Sequence, residues 1–320
     1  MFLLPGGTVL QRVLERGEIE SLDHTSIPRL RLPVRASVFA DRAARLRQLA
    51  HDSPLSGYLL LMAGLADGQH RAVRQCHPPG PTAQRLELAQ AHGMPPLQAV
   101  GWQRDLSWRV ILAGLLEHTK GLPNLPAPAA QVTDALKQTM NDDPDALEAQ
   151  ADALLAEREE GIDAATAPFI MAALQAYWTS LAADFDESTL PVVSPQGVCP
   201  LCGSLPVSSV VRVGGPADGC RYLCCSLCST EWHLVRVTCS YCQDTKEISY
   251  HAIEGEPEGI KAESCDHCHT YRKIFYQEKV LGVDPVADDL ASLALDILMG
   301  EEGYSRASGN PLLWQVAVEP

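Results

Sequence analysis

The sequence predicts an α+β protein: an all-α N-terminal domain, two small four-cysteine metal ribbons in tandem built on short antiparallel hairpins, and a C-terminal helix. Three observations carry this. Four Cys-x-x-Cys pairs stand in a row, Cys199/Cys202, Cys225/Cys228, Cys239/Cys242 and Cys265/Cys268, and the first four cysteines recur 40 residues on. Ahead of them, apolar residues recur at helical spacing with almost no alternating pattern. After Cys199, short β-branched and alternating runs take over. The expected boundaries are 1–190 for the helical domain, 191–236 and 237–284 for the two ribbons, and 285–320 for the C-terminal helix and tail.

In chain order, Met1-Phe2-Leu3-Leu4 breaks at Pro5-Gly6-Gly7, too short an apolar run for a secretory leader. Residues 36–186 read as roughly five to seven helices. Asp52-Ser53-Pro54 offers a cap, and Leu55, Leu59, Met62, Ala63 and Ala66 follow on one face. A central helix is expected over Trp102 to Lys120, with Leu106, Trp108, Val110, Ile111, Leu112, Leu115 and Leu116 dense along it. The turn-rich stretch from Gly121 to Pro128 interrupts it, and Asp143-Pro144 opens another helix. Glu157, Glu159 and Glu160 form a helix-end charge run that reads as a solvated face. Pro168 to Ala183 is the most apolar segment, but at 16 residues, with Gln175, Tyr177, Trp178, Thr179 and Ser180 inside it, it reads as a buried core helix and not a membrane span. Pro191 to Gly197, with two prolines, suits a linker.

Strands are expected over Val207–Val213, Glu231–Thr238, Glu247–Ile253 and Arg272–Tyr276, joining the cysteine turns. The closing helix should run from about Val286 to Gly303 with Leu290, Leu293, Ala294, Ile297 and Leu298 as its apolar stripe. It should pack back on the rest, because two small ribbons offer little core of their own.

Two thiolates on one tight turn, facing two on another, make a tetrahedral sulfur cage. The gaps from Cys202 to Cys225 and from Cys242 to Cys265 are both 22 residues, which favours pairing the first two turns into one cage and the last two into the other; an interleaved pairing is the alternative and needs crossing loops. A disulfide framework belongs to small secreted domains, and a thioredoxin-type site needs one exposed pair beside a βαβ pattern. Cys76, Cys220 and Cys224 remain as semi-buried thiols, the last two being spare ligands in an alternative reading. Only Gly203 follows its turn as glycine, with Ser229, Gln243 and His269 in the matching places. Cys199-Pro-Leu-Cys-Gly203 resembles a rubredoxin knuckle as much as a zinc-ribbon knuckle, so iron and zinc are both admitted. Four thiolates leave no open coordination position, which argues against a metallohydrolase.

His233, His267 and His269 lie near the cages and read as outer or surface imidazoles. The strand carrying Tyr271, Arg272, Lys273 and Tyr276 interleaves basic and aromatic residues and is a candidate docking surface for a protein partner, an ordinary half-buried strand being the alternative. The chain has 320 residues, 46% of them hydrophobic, and a formal net charge of −15, which disfavours nucleic acid and anionic membranes. No nucleophile elbow, phosphate loop or His-Glu-x-x-His motif is present, so no catalytic residue is assigned.

The run Cys199-Pro-Leu-Cys-Gly-Ser-Leu-Pro-Val-Ser-Ser209, then Arg221-Tyr222-Leu223, Cys225-Ser-Leu-Cys228, Glu231-Trp232-His233 and Val235-Arg-Val237, resembles the FdhE family of formate dehydrogenase accessory proteins. So do Ile260-Lys-Ala-Glu-Ser-Cys265, Cys268, Tyr271, Lys273, Tyr276-Gln-Glu-Lys279, Asp288-Asp-Leu-Ala-Ser-Leu293 and Glu302-Gly-Tyr304. The likeness is close over about 190–311 and general in the helical part. It implies a cytoplasmic, non-catalytic accessory protein that acts on the molybdenum-containing catalytic subunit of respiratory formate dehydrogenase before export. It also implies two rubredoxin-like metal sites on Cys199, Cys202, Cys225, Cys228 and on Cys239, Cys242, Cys265, Cys268, with iron favoured over zinc. Cys224 stands where the family leads one to expect histidine, and His269 where it leads one to expect glycine; neither removes a ligand. Rubredoxin-like electron transfer to the client's redox cofactors is the rival reading, and a nucleic-acid-binding zinc ribbon is a weaker one.

Overall fold

A computed structural model describes residues 27–158, 160–191 and 196–314. Met1–Gly7, Glu159 and the middle of the expected linker lie outside the described residues. Among the described residues, seven α-helices precede the first Cys-x-x-Cys pair: α1 (Val38–Leu49), α2 (Ser56–Gln75), α3 (Ala83–His92), α4 (Ser107–Lys120), α5 (Ala127–Asp142), α6 (Pro144–Leu155) and α7 (Ala167–Ala183). None of the described helices is long and apolar enough to cross a membrane.

α7 is the centre of this layer, buried at every position from Ala167 to Ala182, with α2 and α4 packed against it. Two of its polar residues reach partners outside the helix. Trp178 Nε1 donates to Leu97 O at 3.0 Å, and Gln175 Nε2 donates to Ser226 O at 2.7 Å, reaching out of the helices into the first cysteine ribbon. Asp143 caps α6 by accepting from Ala146 N at 3.0 Å, with Pro144 in the first turn where its missing N–H costs nothing. α4 starts at Ser107, five residues later than the apolar run from Trp102 suggests. Trp102 is held outside the helix by the Tyr177 hydroxyl at 3.3 Å and by the Arg85 guanidinium 4.4 Å over its ring. Leu106 and Val110, 68% and 71% exposed, fall off the buried face that Trp108, Ile111, Leu112, Leu115 and Leu116 make.

The strands β1 (Leu30–Arg31), β2 (Pro206–Val211), β3 (Arg221–Cys225), β4 (Glu231–His233), β5 (Ile248–His251), β6 (Ile260–Cys265), β7 (Thr270–Tyr276) and β8 (Ser305–Arg306) form one sheet. Its order is β1-β4-β3-β2-β7-β6-β5, with β8 also on β7. Each ribbon contributes three antiparallel strands, and the two join by parallel pairing of β2 with β7, Ser209 opposite Ile274 and Val211 opposite Tyr276. The second ribbon therefore repeats the first by translation along the sheet. Behind the joint a buried Arg221–Glu263 pair at 2.7 Å ties the ribbons together. β3 and β6 are absent from the sequence expectation for a physical reason. β3 is buried on both faces, so it carries no alternation, and Lys261 and Glu263 disguise β6 as a polar segment. The run expected to continue to Thr238 leaves the sheet after His233, and Val237 takes φ 58° on the way to the next cysteine turn.

The single expected C-terminal helix is two: α8 (Pro285–Ala291) and α9 (Leu293–Glu301). Lys273 Nζ takes the carbonyls of Asp289 and Ser292 at 2.8 and 3.0 Å, and the Ser292 hydroxyl donates to Asp288 O at 2.7 Å, so the ladder is interrupted at Ser292. The break shifts the phase: Leu295 and Met299 are buried, and Ile297 and Leu298 of the expected stripe face solvent. Four carboxylates of this segment are sunk and each meets a cation from elsewhere. Arg42 reaches Asp284 at 3.1 Å, Arg45 reaches Asp288 at 2.6 Å, Lys273 reaches Asp296 at 2.6 Å, and Arg306 pairs with Asp289.

Two outcomes follow from these charges. Lys273→Met removes the nearest cation from Asp296, which keeps the Tyr271 hydroxyl at 2.7 Å and Arg306 at 3.4 Å, and weakens the tie to Asp289; it should cost about 1.5–3 kcal/mol in chemical denaturation, the scale of a hydrogen bond to a charged group. In the helical layer, Glu148 accepts from Arg109 Nε at 2.8 Å, Arg104 Nε at 3.1 Å and Trp108 Nε1 at 3.0 Å. Although desolvation opposes it, these bonds hold the Glu148 carboxyl below its ordinary value. A folded-state pKa below the unfolded one adds stability that is present at neutral pH and lost as pH falls through the folded value. Glu148→Gln should accordingly flatten the acid side of a melting-temperature profile while lowering its neutral plateau.

Candidate metal centres

Three of the four Cys-x-x-Cys turns share one backbone bond. Gly203 N donates to Cys199 O at 2.8 Å, Gln243 N to Cys239 O at 3.1 Å, and His269 N to Cys265 O at 2.9 Å. Closing such a turn puts the residue after the second cysteine in the left-handed region, and Gly203, Ser229, Gln243 and His269 sit at φ 78°, 58°, 66° and 53°. The turn is thus the same with or without glycine. Gly203 has a second reason to lack a side chain: a Cβ there would lie 2.5 Å from Gln98 Oε1. That crowding comes from the helical layer, whose Leu97 and Ala99 N–H groups donate to Leu201 O and Cys202 O, both at 2.9 Å.

The turns bring the sulfurs together in the two sets that the 22-residue gaps imply, Cys199/Cys202/Cys225/Cys228 and Cys239/Cys242/Cys265/Cys268, with all sulfurs of a set within 4.8 Å. Cys199–Cys228 and Cys202–Cys225 Sγ separations are 3.6 and 3.4 Å, and Cys239–Cys268 and Cys242–Cys265 are both 3.7 Å. A tetrahedron with metal–sulfur bonds of about 2.3 Å has sulfur–sulfur edges of about 3.8 Å, whereas a disulfide needs about 2.05 Å. All eight are free thiols, so the donor set fits one four-coordinate ion per cluster.

The surroundings suit thiolates. Leu227 N and Cys228 N donate to Cys225 Sγ at 3.4 and 3.3 Å, and Tyr241 N and Cys242 N donate to Cys239 Sγ at 3.4 Å. The hydroxyls of Ser204, Thr230 and Thr270 lie 3.5, 3.2 and 3.1 Å from the sulfurs of Cys202, Cys228 and Cys268. These three hydroxyls, which accept from a thiol and can donate to a thiolate, went unread in the sequence, although Ser or Thr two residues past the turn in three of four knuckles is a legible signal. Burial drives Cys199 and Cys225 well above the ordinary thiol value, while for Cys202 desolvation is outweighed by hydrogen bonds from Cys199, Cys225 and Cys228. Four sulfurs packed this closely away from water form a donor set that a divalent cation would compensate once they are deprotonated.

The clusters differ in access and in charge. All four cysteines of the first are buried, and Cys242 and Cys268 of the second are half-exposed. Behind the second lies Arg272, whose Nε donates to the hydroxyl of Ser240, inside the Cys239–Cys242 turn, at 2.8 Å. Burial pushes this guanidinium down to about 9, so it remains a cation at neutral pH and bears on Cys239.

The candidate partner-binding side chains are placed otherwise than expected. Tyr271, Arg272 and Lys273 are buried, with Tyr271 bonded to Asp296 at 2.7 Å, Arg272 to Ser308 at 2.6 Å and Lys273 to the acids of the C-terminal helices. They hold this protein together and present no face to another; only Tyr276 is partly exposed, under the Lys261 ammonium at 5.5 Å. The strand's basic and aromatic character answers internal acids. His233 packs edge-on against Tyr222, His269 lies near Tyr304, and His267 is exposed; none belongs to either sulfur cluster. Cys224 is buried beside the first cluster, and Cys76 and Cys220 are half-buried; all three stand outside the clusters.

Comparison with known proteins follows the same division of the chain. The family models described as FdhE N-terminal, FdhE central domain and FdhE C-terminal domain match residues 27–194, 198–236 and 237–313. The protein is 41% identical over 311 residues to the Protein FdhE homolog of Pectobacterium atrosepticum, covering 96% of each chain. It is 41% identical over 302 residues to Protein FdhE of Escherichia coli O1:K1 / APEC, covering 94% of this chain and 96% of that one. The crystal structure of the FdhE protein from Pseudomonas aeruginosa superposes with a TM-score of 0.79 at 37% identity, over 89% of this chain and 99% of that one. The chain belongs to the FdhE family, and the kinship extends through the helical layer as well as the ribbons.

In metal-loaded protein held with a strong chelator, one metal equivalent should leave well before the other. Cys242→Ala/Cys268→Ala protein should retain only the slow equivalent; loss of both at one rate in the unaltered protein would contradict the difference in burial.

Proposed function

We propose that this protein is a cytoplasmic, non-catalytic maturation factor for respiratory formate dehydrogenase, binding the molybdenum-containing catalytic subunit before export. The observation that carries the reading is the pair of complete sulfur clusters in a member of the FdhE family. Cys199, Cys202, Cys225 and Cys228 would hold one ion and Cys239, Cys242, Cys265 and Cys268 the other. All four positions of each ion would then be filled by protein, so substrate could not reach it as a Lewis acid. We propose iron, since Cys199-Pro-Leu-Cys-Gly203 resembles a rubredoxin knuckle, and zinc fits the same donors; bound iron would supply a one-electron couple, and zinc would supply a cross-link alone. The ribbons are the parts such an ion stabilises, and the helical layer gives them a rigid backing through Gln175, Leu97 and Ala99.

A second reading, electron transfer to redox cofactors of the client, is favoured by one specific feature: the half-exposed Cys242 and Cys268 bring the second centre to the surface. Zinc-only protein that supports full formate dehydrogenase activity would eliminate it.

Tagged protein purified from its own host during formate respiration should carry the formate dehydrogenase catalytic subunit with it. Cys239→Ala/Cys242→Ala should abolish that recovery and host formate dehydrogenase activity together. Undiminished activity in the variant would overturn the assignment.

A further inference from the structure

The two ribbons do not end alike. In the first, β4 is covered by β1 and β2 by β7. In the second, β5 holds the place of β2, and among the described residues it pairs with β6 alone. Asp266 N donates to Glu247 O at 3.0 Å, which sets the phase of the antiparallel ladder. Ser249 and His251 therefore direct their backbone groups to β6, and Ile248 and Tyr250 direct theirs outward. The outward edge is strongly acidic. Residues 244–258 carry five carboxylates, Asp244, Glu247, Glu254, Glu256 and Glu258, against the single Lys246. A cavity of about 380 Å³ beyond the strand end is lined by Glu254, Glu256, Glu258 and Glu278 together with Lys261 and Lys279.

The geometry points to a docking edge on β5 for an extended basic segment of the client polypeptide, added as a further strand; this rests on the client reading above. The chain itself contains an example of what such an edge accepts. The strand that adds to β2 in parallel is β7, Thr-Tyr-Arg-Lys-Ile-Phe-Tyr, a basic and aromatic strand whose Lys273 is met by carboxylates of the C-terminal helices beside the sheet and not of β2 itself. Strand addition takes its affinity from main-chain hydrogen bonds and its selectivity from alternate side chains. Here Ile248 and Tyr250 supply the first, and the exposed Tyr250 ring and the flanking carboxylates supply the second. Charge at an edge usually prevents pairing with further copies. In a chain of net charge −15, acidic flanks repel another copy and leave the edge open to a basic strand. Ile248 lies opposite Cys265, so a docked segment would run beside the more accessible sulfur cluster.

The test uses full-length, metal-loaded protein and short overlapping synthetic peptides tiled across the formate dehydrogenase catalytic subunit, with fluorescence anisotropy as the readout. Glu254, Glu256 and Glu258 are exposed, with Glu258–Lys279 at 3.5 Å their single ion pair among the described residues, so Glu254→Gln/Glu256→Gln/Glu258→Gln leaves the fold intact. Basic peptides should bind, about tenfold more weakly to this variant, the size expected for three exposed charge pairs. Bound peptide should slow amide hydrogen exchange at Ile248 and Tyr250. Equal binding of peptides with Arg changed to Glu, or protection that leaves those two amides unchanged, overturns the proposal. Recovery of the intact client by unaltered protein without any peptide binding overturns the edge and leaves the client reading standing. Failure to recover the client at all overturns both.

Discussion

A carboxylate taken out of water needs a cation or hydrogen-bond donors beside it, and four aspartates near the C-terminus, three of them buried and Asp296 partly so, bind this molecule into one body. Asp284, Asp288, Asp289 and Asp296 lie on or beside two short helices that could not stay folded alone. Their partners come from everywhere else: Arg42 and Arg45 from the first helix, Lys273 from the last ribbon strand, Arg306 from the strand after the helices. Desolvating any of these groups without its partner costs several kcal/mol. The charges therefore specify where each piece must sit more sharply than apolar contact would. Asp284 serves twice, since it also accepts from Val286 N and Ala287 N at 3.1 and 2.8 Å and so starts the helix it anchors.

The sulfur clusters sit on this frame with unequal support. The first is roofed by the helical layer through Leu97, Ala99 and Gln175, which removes it from water. The second has Arg272 behind it and solvent in front. A tetrathiolate centre carries negative charge in either case. One cluster meets that charge with backbone and hydroxyl donors alone, and the other adds a buried guanidinium. Two centres of the same ligand type thereby acquire different chemical surroundings from a repeated sequence.

The clusters and their pairing were legible because ligand spacing is a short-range, nearly geometric property of the chain. So were the helices with strong faces or strong caps, such as the one opened by Asp143-Pro144. Legibility failed where burial is two-sided or where a distant charge intervenes. β3 carries no alternation because neither of its faces meets water. The break at Ser292 joins a local part, the Ser292 hydroxyl on the Asp288 carbonyl, to a distant one, Lys273, a residue 19 positions away that sequence reading does not connect with it. Tyr271, Arg272 and Lys273 looked like a docking strand because their acidic partners are supplied by sequence that follows later and by the fold. Basic residues in an acidic chain are as readily spoken for inside as outside.

The strand Leu30–Arg31 closes one side of the sheet against Glu231 and Trp232. Arg31 and Glu231 are separated by 200 residues, all of the helical layer and the first ribbon between them. On the ribosome, at roughly 5–20 residues per second, that interval amounts to roughly 10–40 s during which the strand has no sheet to join. The helical layer can condense in this time, with Leu30–Arg31 still unpaired. Closure of this side of the sheet is thus timed by emergence of the first ribbon, and the newborn chain passes through a stage at which its helices are built and one strand still waits for its neighbour.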